Sequence, residues 1–281
     1  MKRLRNVSIL FTSPGPLLFQ FRSLFIYWYS VSIALGIFSS LYMSTKLARQ
    51  RSISPIIISD LFPIAIIAAI VFARGYYVLF QWDYYRDHMH DILAIWKGGI
   101  AIHGGLIGGS IAIVLFCYLK NQSFLAVMDT LAPSIAMGQA IGRWGNFFNS
   151  EAFGLPTNSL LKLAIPYTNR QVLFTNQHFF HPTFLYESCW DFGLCLLLLS
   201  LFHRITQRKI YLNNGIVTYF YLIGYGLGRF WIEGIRNDPL CLIGHAPLCE
   251  GGLRMAQFMS LLMIALGCLG LQKVRKQYMV S

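Results

Sequence analysis

Charge is scarce in this chain of 281 residues: Asp, Glu, Lys and Arg make up only 12% of it, and 11 acidic residues stand against 23 basic ones. Soluble domains carry about 25% charged residues, so an ordinary water-facing surface is excluded and lipid is the expected solvent. The six cysteines include no CxxC pair, which excludes the usual spacing of a structural zinc site. Four of them, Cys117, Cys189, Cys195 and Cys268, lie in apolar runs, where cysteine behaves as a small hydrophobe. Internal repeats, low-complexity tracts and flexible linkers are absent as well. The N-terminus is basic (Lys2, Arg3, Arg5), but its apolar stretch breaks at Pro14-Gly15-Pro16 and no small-residue cleavage site follows. A cleaved signal peptide is therefore not expected, and the first long helix reads as an anchor.

Apolar residues, by contrast, fill 56% of the chain and aromatics 15%, a composition suited to two interfacial belts. A spanning helix needs about 20 mostly apolar residues. Seven stretches qualify: Leu24–Met43, Ile56–Phe80, Gly99–Leu119, Ser123–Phe147, Thr183–Phe202, Gly215–Gly234 and Leu253–Leu271. The expected fold is an all-α polytopic membrane protein of about seven transmembrane helices, one membrane-embedded catalytic domain over residues 1–281. The long polar insertion Phe148–Pro182, with Pro156 and Pro166, reads as a small extracytoplasmic (periplasmic) lobe within it.

The net charge of +12 fits basic membrane loops better than nucleic acid, because no basic and aromatic stretch lies in a soluble module. Ser44–Ser54, Lys120–Gln122, His203–Asn213 and the tail from Gln272 are basic and free of Asp and Glu. They alternate along a seven-span chain, so the positive-inside rule makes their side cytoplasmic. The basic N-terminus conflicts with this, one terminus against four loops.

Ionisable groups in spans are costly and mark function by default. With this orientation His103, Arg143, Glu187, Arg229, Glu233 and Arg236 all fall near outer helix ends, with Tyr29 at the same depth and His103 about one turn in. In GGIAIHGGLIGG (98–109), Gly104/Gly108 and Gly105/Gly109 suit close helix packing or close approach to an anion. In GRWGNFFNSEAFG (142–154), Arg143 offers a planar fork matched to phosphate; Asn146 and Asn149 add neutral donors and acceptors or cap the helix end. Glu151 reads as the group that fixes Arg143 or another cation. Arg229 and Glu233 share a helix face, with Arg236 near the next turn, so Glu233 can hold Arg229 while its other donors face a phosphate.

These blocks, with HPTFLYES (181–188), resemble the prolipoprotein diacylglyceryl transferase family. The resemblance runs from the Trp28-Tyr29 region to the seventh span, and GRWGNFFNSEAFG is its most specific part. The N-terminal extension and the Asp238–Gly252 loop depart from the family pattern. The resemblance implies attack of a lipobox cysteine thiol on the glyceryl carbon of phosphatidylglycerol, with loss of glycerol phosphate and no cofactor or metal. It implies His103, Arg143, Arg229 and Glu233 as catalytic residues. Tyr29, Gly104, Arg143, Asn146, Asn149, Glu151, Gly154, Tyr186, Glu187 and Arg236 are implied as substrate-binding. The partners implied are phosphatidylglycerol, the prolipoprotein signal peptide and membrane lipid; the implied location is the bacterial cytoplasmic (inner) membrane, multi-pass, with the site facing the outer leaflet. A transporter or flippase is the alternative; it needs polar groups across the whole bilayer, and these crowd to one side. Cys241 and Cys249 bracket Gly244 and Pro247 in the outer loop, so a disulfide is expected there, with a pair of free thiols as the alternative.

Overall fold

A computed structural model describes residues 9–22, 24–207, 214–245 and 248–280, the last four by backbone alone. Lys2, Arg3 and Arg5, the 208–213 part of the third basic loop, and Pro247 lie outside the described residues. In chain order the strands are β1 (Ile9–Thr12), β2 (Leu17–Phe21), β3 (Leu24–Tyr27), β4 (Leu161–Ala164) and β5 (Phe179–Phe180). The helices are α1 (Trp28–Gln50), α2 (Pro55–Phe80), the single turn α3 (Trp82–Tyr85), α4 (Ile102–Leu119), α5 (Phe124–Asn149), α6 (Thr183–Gln207), α7 (Ile216–Ile235) and α8 (Met255–Val280).

Among the described residues six helices, α1, α2, α4, α5, α6 and α8, are long and apolar enough to cross a membrane. The remaining expected span is α7, where Arg229, Glu233 and several Gly and Tyr dilute the hydropathy; its 20 residues still reach about 30 Å. The chain is therefore a multi-pass, mainly helical membrane protein. The expected first span starts late: Leu24–Tyr27 pairs antiparallel with β2, and the helix begins at Trp28.

The chain forms two compact units, residues 1–40 with 131–281, and residues 41–130. In the first, the lobe after α5 is a small sheet of order β1-β4-β5. Here β1 runs parallel to β4, with Ile9 opposite Leu161, and β5 runs antiparallel. Its core joins Phe153, Leu163, Ile165 and Phe180 to Phe147 at the end of α5 and Phe184 at the start of α6. The lobe is thus fixed by apolar burial to the helix ends that carry the charged residues. Gly228 of α7 lies against the Trp190 indole of α6, where a Cβ would overlap the ring, and Trp190 Nε1 donates to Gly224 O at 2.9 Å. That close approach brings the polar faces of α6 and α7 together.

Beyond α7, Cys241 and Cys249 form the expected disulfide. Arg254 donates to the carbonyls of Glu233 and, at 3.0 Å, Arg236, closing carbonyls that the end of a helix leaves open.

In the second unit α4 packs on α2. A Cβ on Gly104 or Gly108 would overlap Phe72 and its neighbours, so close helix packing accounts for these glycines. Arg74 is buried and donates to the carbonyls of Asp91, Ile92, Gly98 and Gly99 at 2.6–2.8 Å, fixing the loop between α2 and α4. In that loop Lys97 donates to Asp91 at 2.6 Å and holds its carboxyl below the ordinary range. Arg51 and Asp129 form a buried ion pair at 2.9 Å, and Asp60 is exposed.

Candidate active site

The lobe ends of α5, α6 and α7 converge on one carboxylate. Glu187, on the first turns of α6 and with a side chain only 5% exposed, lies 2.5 Å from Arg143 Nη2, 3.2 Å from Arg229 Nη1 and 3.8 Å from Arg236 Nη1. Arg229 spans two acceptors, because its Nη2 also meets Glu233 Oε2 at 2.6 Å. Arg236 is held chiefly by Asp238, with Nε and Nη2 donating at 2.9 and 2.7 Å. Burial opposes the charge of Arg236, but the paired Asp238 carboxylate outweighs it and holds the guanidinium pKa above its ordinary value. Removing one member of such a lattice leaves a partly buried charge without a counter-ion, which is costly.

The turn after α5 completes this end. Ser150 and Ala152 adopt left-handed backbone, φ 53 and 54°, which is uncommon for residues with a Cβ. Between them Glu151 accepts from Asn146 Nδ2 at 2.9 Å. Glu151 therefore pairs with Asn146, and Arg143 finds its carboxylate on α6. Asn149 contributes its backbone carbonyl, which accepts from Asn169 at 3.2 Å. Gly154 bridges to Arg236, its N–H donating to His181 O at 3.0 Å; a Cβ there would meet His181, Thr183 and Ile235. Tyr186 Oη lies 3.2 Å from His181 Nδ1. Tyr29 packs on Gly145 and is within electrostatic reach of Arg143 and Glu151.

His103 and Gly104 belong to the 41–130 unit. The helix starts at Ile102, so His103 sits in its first turn. It is exposed, with its ring 6.2 Å from that of Tyr76. Sequence reasoning missed Asp238 and Arg254 as members of the lattice; the readable signal was charge next to a span end. Asp191, one helical turn after Glu187, stood out in the sequence as an ionisable group in a span but received no role there.

A membrane-embedded protein with a largely buried arginine–carboxylate cluster at the lobe end of three helices is the class that fold and site define. The profile of the family described as prolipoprotein diacylglyceryl transferase matches residues 16–272. The phosphatidylglycerol–prolipoprotein diacylglyceryl transferase of Parasynechococcus marenigrum is 51% identical, covering 95% of this chain and 96% of its own length. Those of a Synechococcus species and of Prochlorococcus marinus are each 50% identical, covering 93% of this chain and 94% and 91% of their own lengths. The chain belongs to the prolipoprotein diacylglyceryl transferase family.

Proposed function

We propose that this enzyme transfers the diacylglyceryl group of phosphatidylglycerol to the lipobox cysteine of prolipoproteins, the first step of lipoprotein maturation. Relatives about half identical over nearly their full length carry that activity in their names. The observation that carries the reading to this chain's own residues is the convergence of Arg143, Arg229 and Arg236 on Glu187. Each guanidinium has five donors and each carboxylate about four acceptor sites. Three arginines thus bring about 15 donors to about 12 sites on Glu187, Glu233 and Asp238, and the surplus suits the oxygens of a phosphate.

In the reaction the cysteine sulfur forms a bond to the lipid's glyceryl carbon, and the bond from that carbon to the phosphate oxygen breaks. The phosphodiester monoanion leaves as a glycerol phosphate dianion. Arg143 and Arg229 stabilise the charge gained, fixed in place beforehand by Glu187 and Glu233 and partly withdrawn from water. Asn146, Asn149, Glu151, Tyr29, Tyr186 and Gly154 border the headgroup. The enzyme resides in the cytoplasmic membrane with its lobe outside, where precursors present their cysteine. The acid-free basic loops at the opposite helix ends support that orientation.

The test is to incubate purified protein with phosphatidylglycerol and a lipobox peptide. Glycerol phosphate release in step with peptide lipidation is expected. Lipid movement across a vesicle without either product would replace the transferase with a transporter.

A further inference from the structure

A second polar layer lies behind the arginines. On α5, α6 and α7 alike, the residue four positions farther from the lobe is polar: Gln139 behind Arg143, Asp191 behind Glu187, Tyr225 behind Arg229. Four residues of helix advance about 6 Å. Tyr221, one turn beyond Tyr225, donates to Gln139 Oε1 at 3.1 Å. Asp191 is only 3% exposed, and its Oδ2 is buried with no hydrogen-bond partner among the described residues. An acceptor left open in a buried site is costly, and such a group calls for an explanation.

The chemistry supplies one. Resting on the transferase reading, the lipid phosphate sits at the arginine layer and the diacylglyceryl end points away from the lobe. A displacement at carbon requires the sulfur to enter opposite the departing phosphate oxygen, on the side away from the arginines and the lobe. The thiol proton is therefore released on the far side of the arginine layer, where Asp191 stands.

We propose that Asp191 accepts the thiol proton of the incoming lipobox cysteine. As the S–H bond breaks its proton passes to Asp191 Oδ2; the sulfur's electron pair forms the S–C bond, and the C–O pair leaves on the phosphate. Before the step the carboxylate and the phosphodiester carry one negative charge each; afterwards the carboxyl is neutral and the released phosphate carries two. Total charge is constant and moves one turn toward the arginines, which hold it. The groups that face Asp191 electrostatically are Arg143 from α5, Glu187 on its own helix, and Arg229, Tyr221 and Tyr225 from α7. His103, one of the residues that the family resemblance implies as catalytic, then serves another purpose.

The experiment compares Asp191→Asn, Asp191→Glu, His103→Gln and wild type on two lipobox peptides, one with cysteine and one with selenocysteine, whose selenol is ionised at neutral pH. Wild-type glycerol phosphate release with the cysteine peptide is the control for the reaction itself, and its absence sinks the transferase reading, not the residue assignment alone. With that control in place, Asp191→Asn should lower kcat about 10²–10⁴-fold near neutral pH with little change in lipid KM. The deficit should shrink above the thiol pKa of about 8.5 and vanish with the selenocysteine peptide, while Asp191→Glu keeps part of the rate. Unchanged turnover overturns the assignment, and so does a deficit equal at every pH and for both peptides. If Asp191→Asn does not fold, the decision passes to the acid limb of kcat/KM with cysteine. A limb that His103→Gln retains and selenocysteine removes supports Asp191; loss of the limb in His103→Gln overturns it.

Discussion

Arg74 and Arg143 are both largely withdrawn from solvent on spanning helices, yet they are satisfied in opposite ways. Arg74 gives its guanidinium to four backbone carbonyls of one loop. Those acceptors cannot move without unfolding the loop, so the charge is consumed in fixing structure. Arg143 meets a side-chain carboxylate, Glu187, which it shares with Arg229 and Arg236. A shared carboxylate leaves donors over and can rebalance when an anion arrives. A buried arginine is thus informative through its partners: backbone partners point to architecture, shared carboxylates to ligand chemistry.

Substitution of Arg143 tests this contrast most severely. Arg143→Ala should cut glycerol phosphate release by about 10²-fold or more while the folded yield persists. Arg143→Lys should fall nearly as far, since the charge remains and the planar fork is lost. Near wild-type turnover in Arg143→Ala would move Arg143 into the structural class with Arg74. The mirror-image substitution is Arg74→Ala. Four carbonyls lose a charged donor, so stability should fall by about 3 kcal/mol or more, read as thermal unfolding in detergent, with turnover per folded molecule retained. An unchanged Tm would break the comparison from the other side.

The smallest expected effect concerns His181, whose backbone carbonyl holds Gly154 at the seam between lobe and site. Burial pushes its pKa below the ordinary value, about 6.5. The folded protein therefore binds this proton less readily than the unfolded chain does. Its stabilising contribution is complete above about pH 6.5 and is lost as pH falls through the lower folded pKa. Thermal unfolding across this range should show a modest acid decline that His181→Gln flattens. An identical decline in the variant would assign it to other groups.

The spans were legible because a membrane demands about 20 apolar residues in a row, and the arginine blocks because charge in such a run is conspicuous. Partner choice was not. Glu151 looked like the carboxylate for Arg143 because it is eight positions away in sequence; the structure gives Arg143 to Glu187 on another helix and Glu151 to Asn146. His103 stood one turn along a span drawn from Gly99, whereas the helix itself starts at Ile102. The short strands escaped notice because β1 is defined by a partner far along the chain, Ile9 opposite Leu161.

By itself, then, the sequence determined which segments cross the membrane and which residue types it could not place there cheaply, since both follow from transfer of local groups between water and lipid. It also determined that Cys241 and Cys249 were close enough along the chain to join. The tertiary structure alone decided which charges meet, which glycines are contact points, and that Asp191 keeps an open oxygen one turn behind the arginines. Those outcomes depend on distances between helices remote in sequence, and an ion pair or an orphaned acceptor exists only once packing has fixed such distances to within an ångström or so.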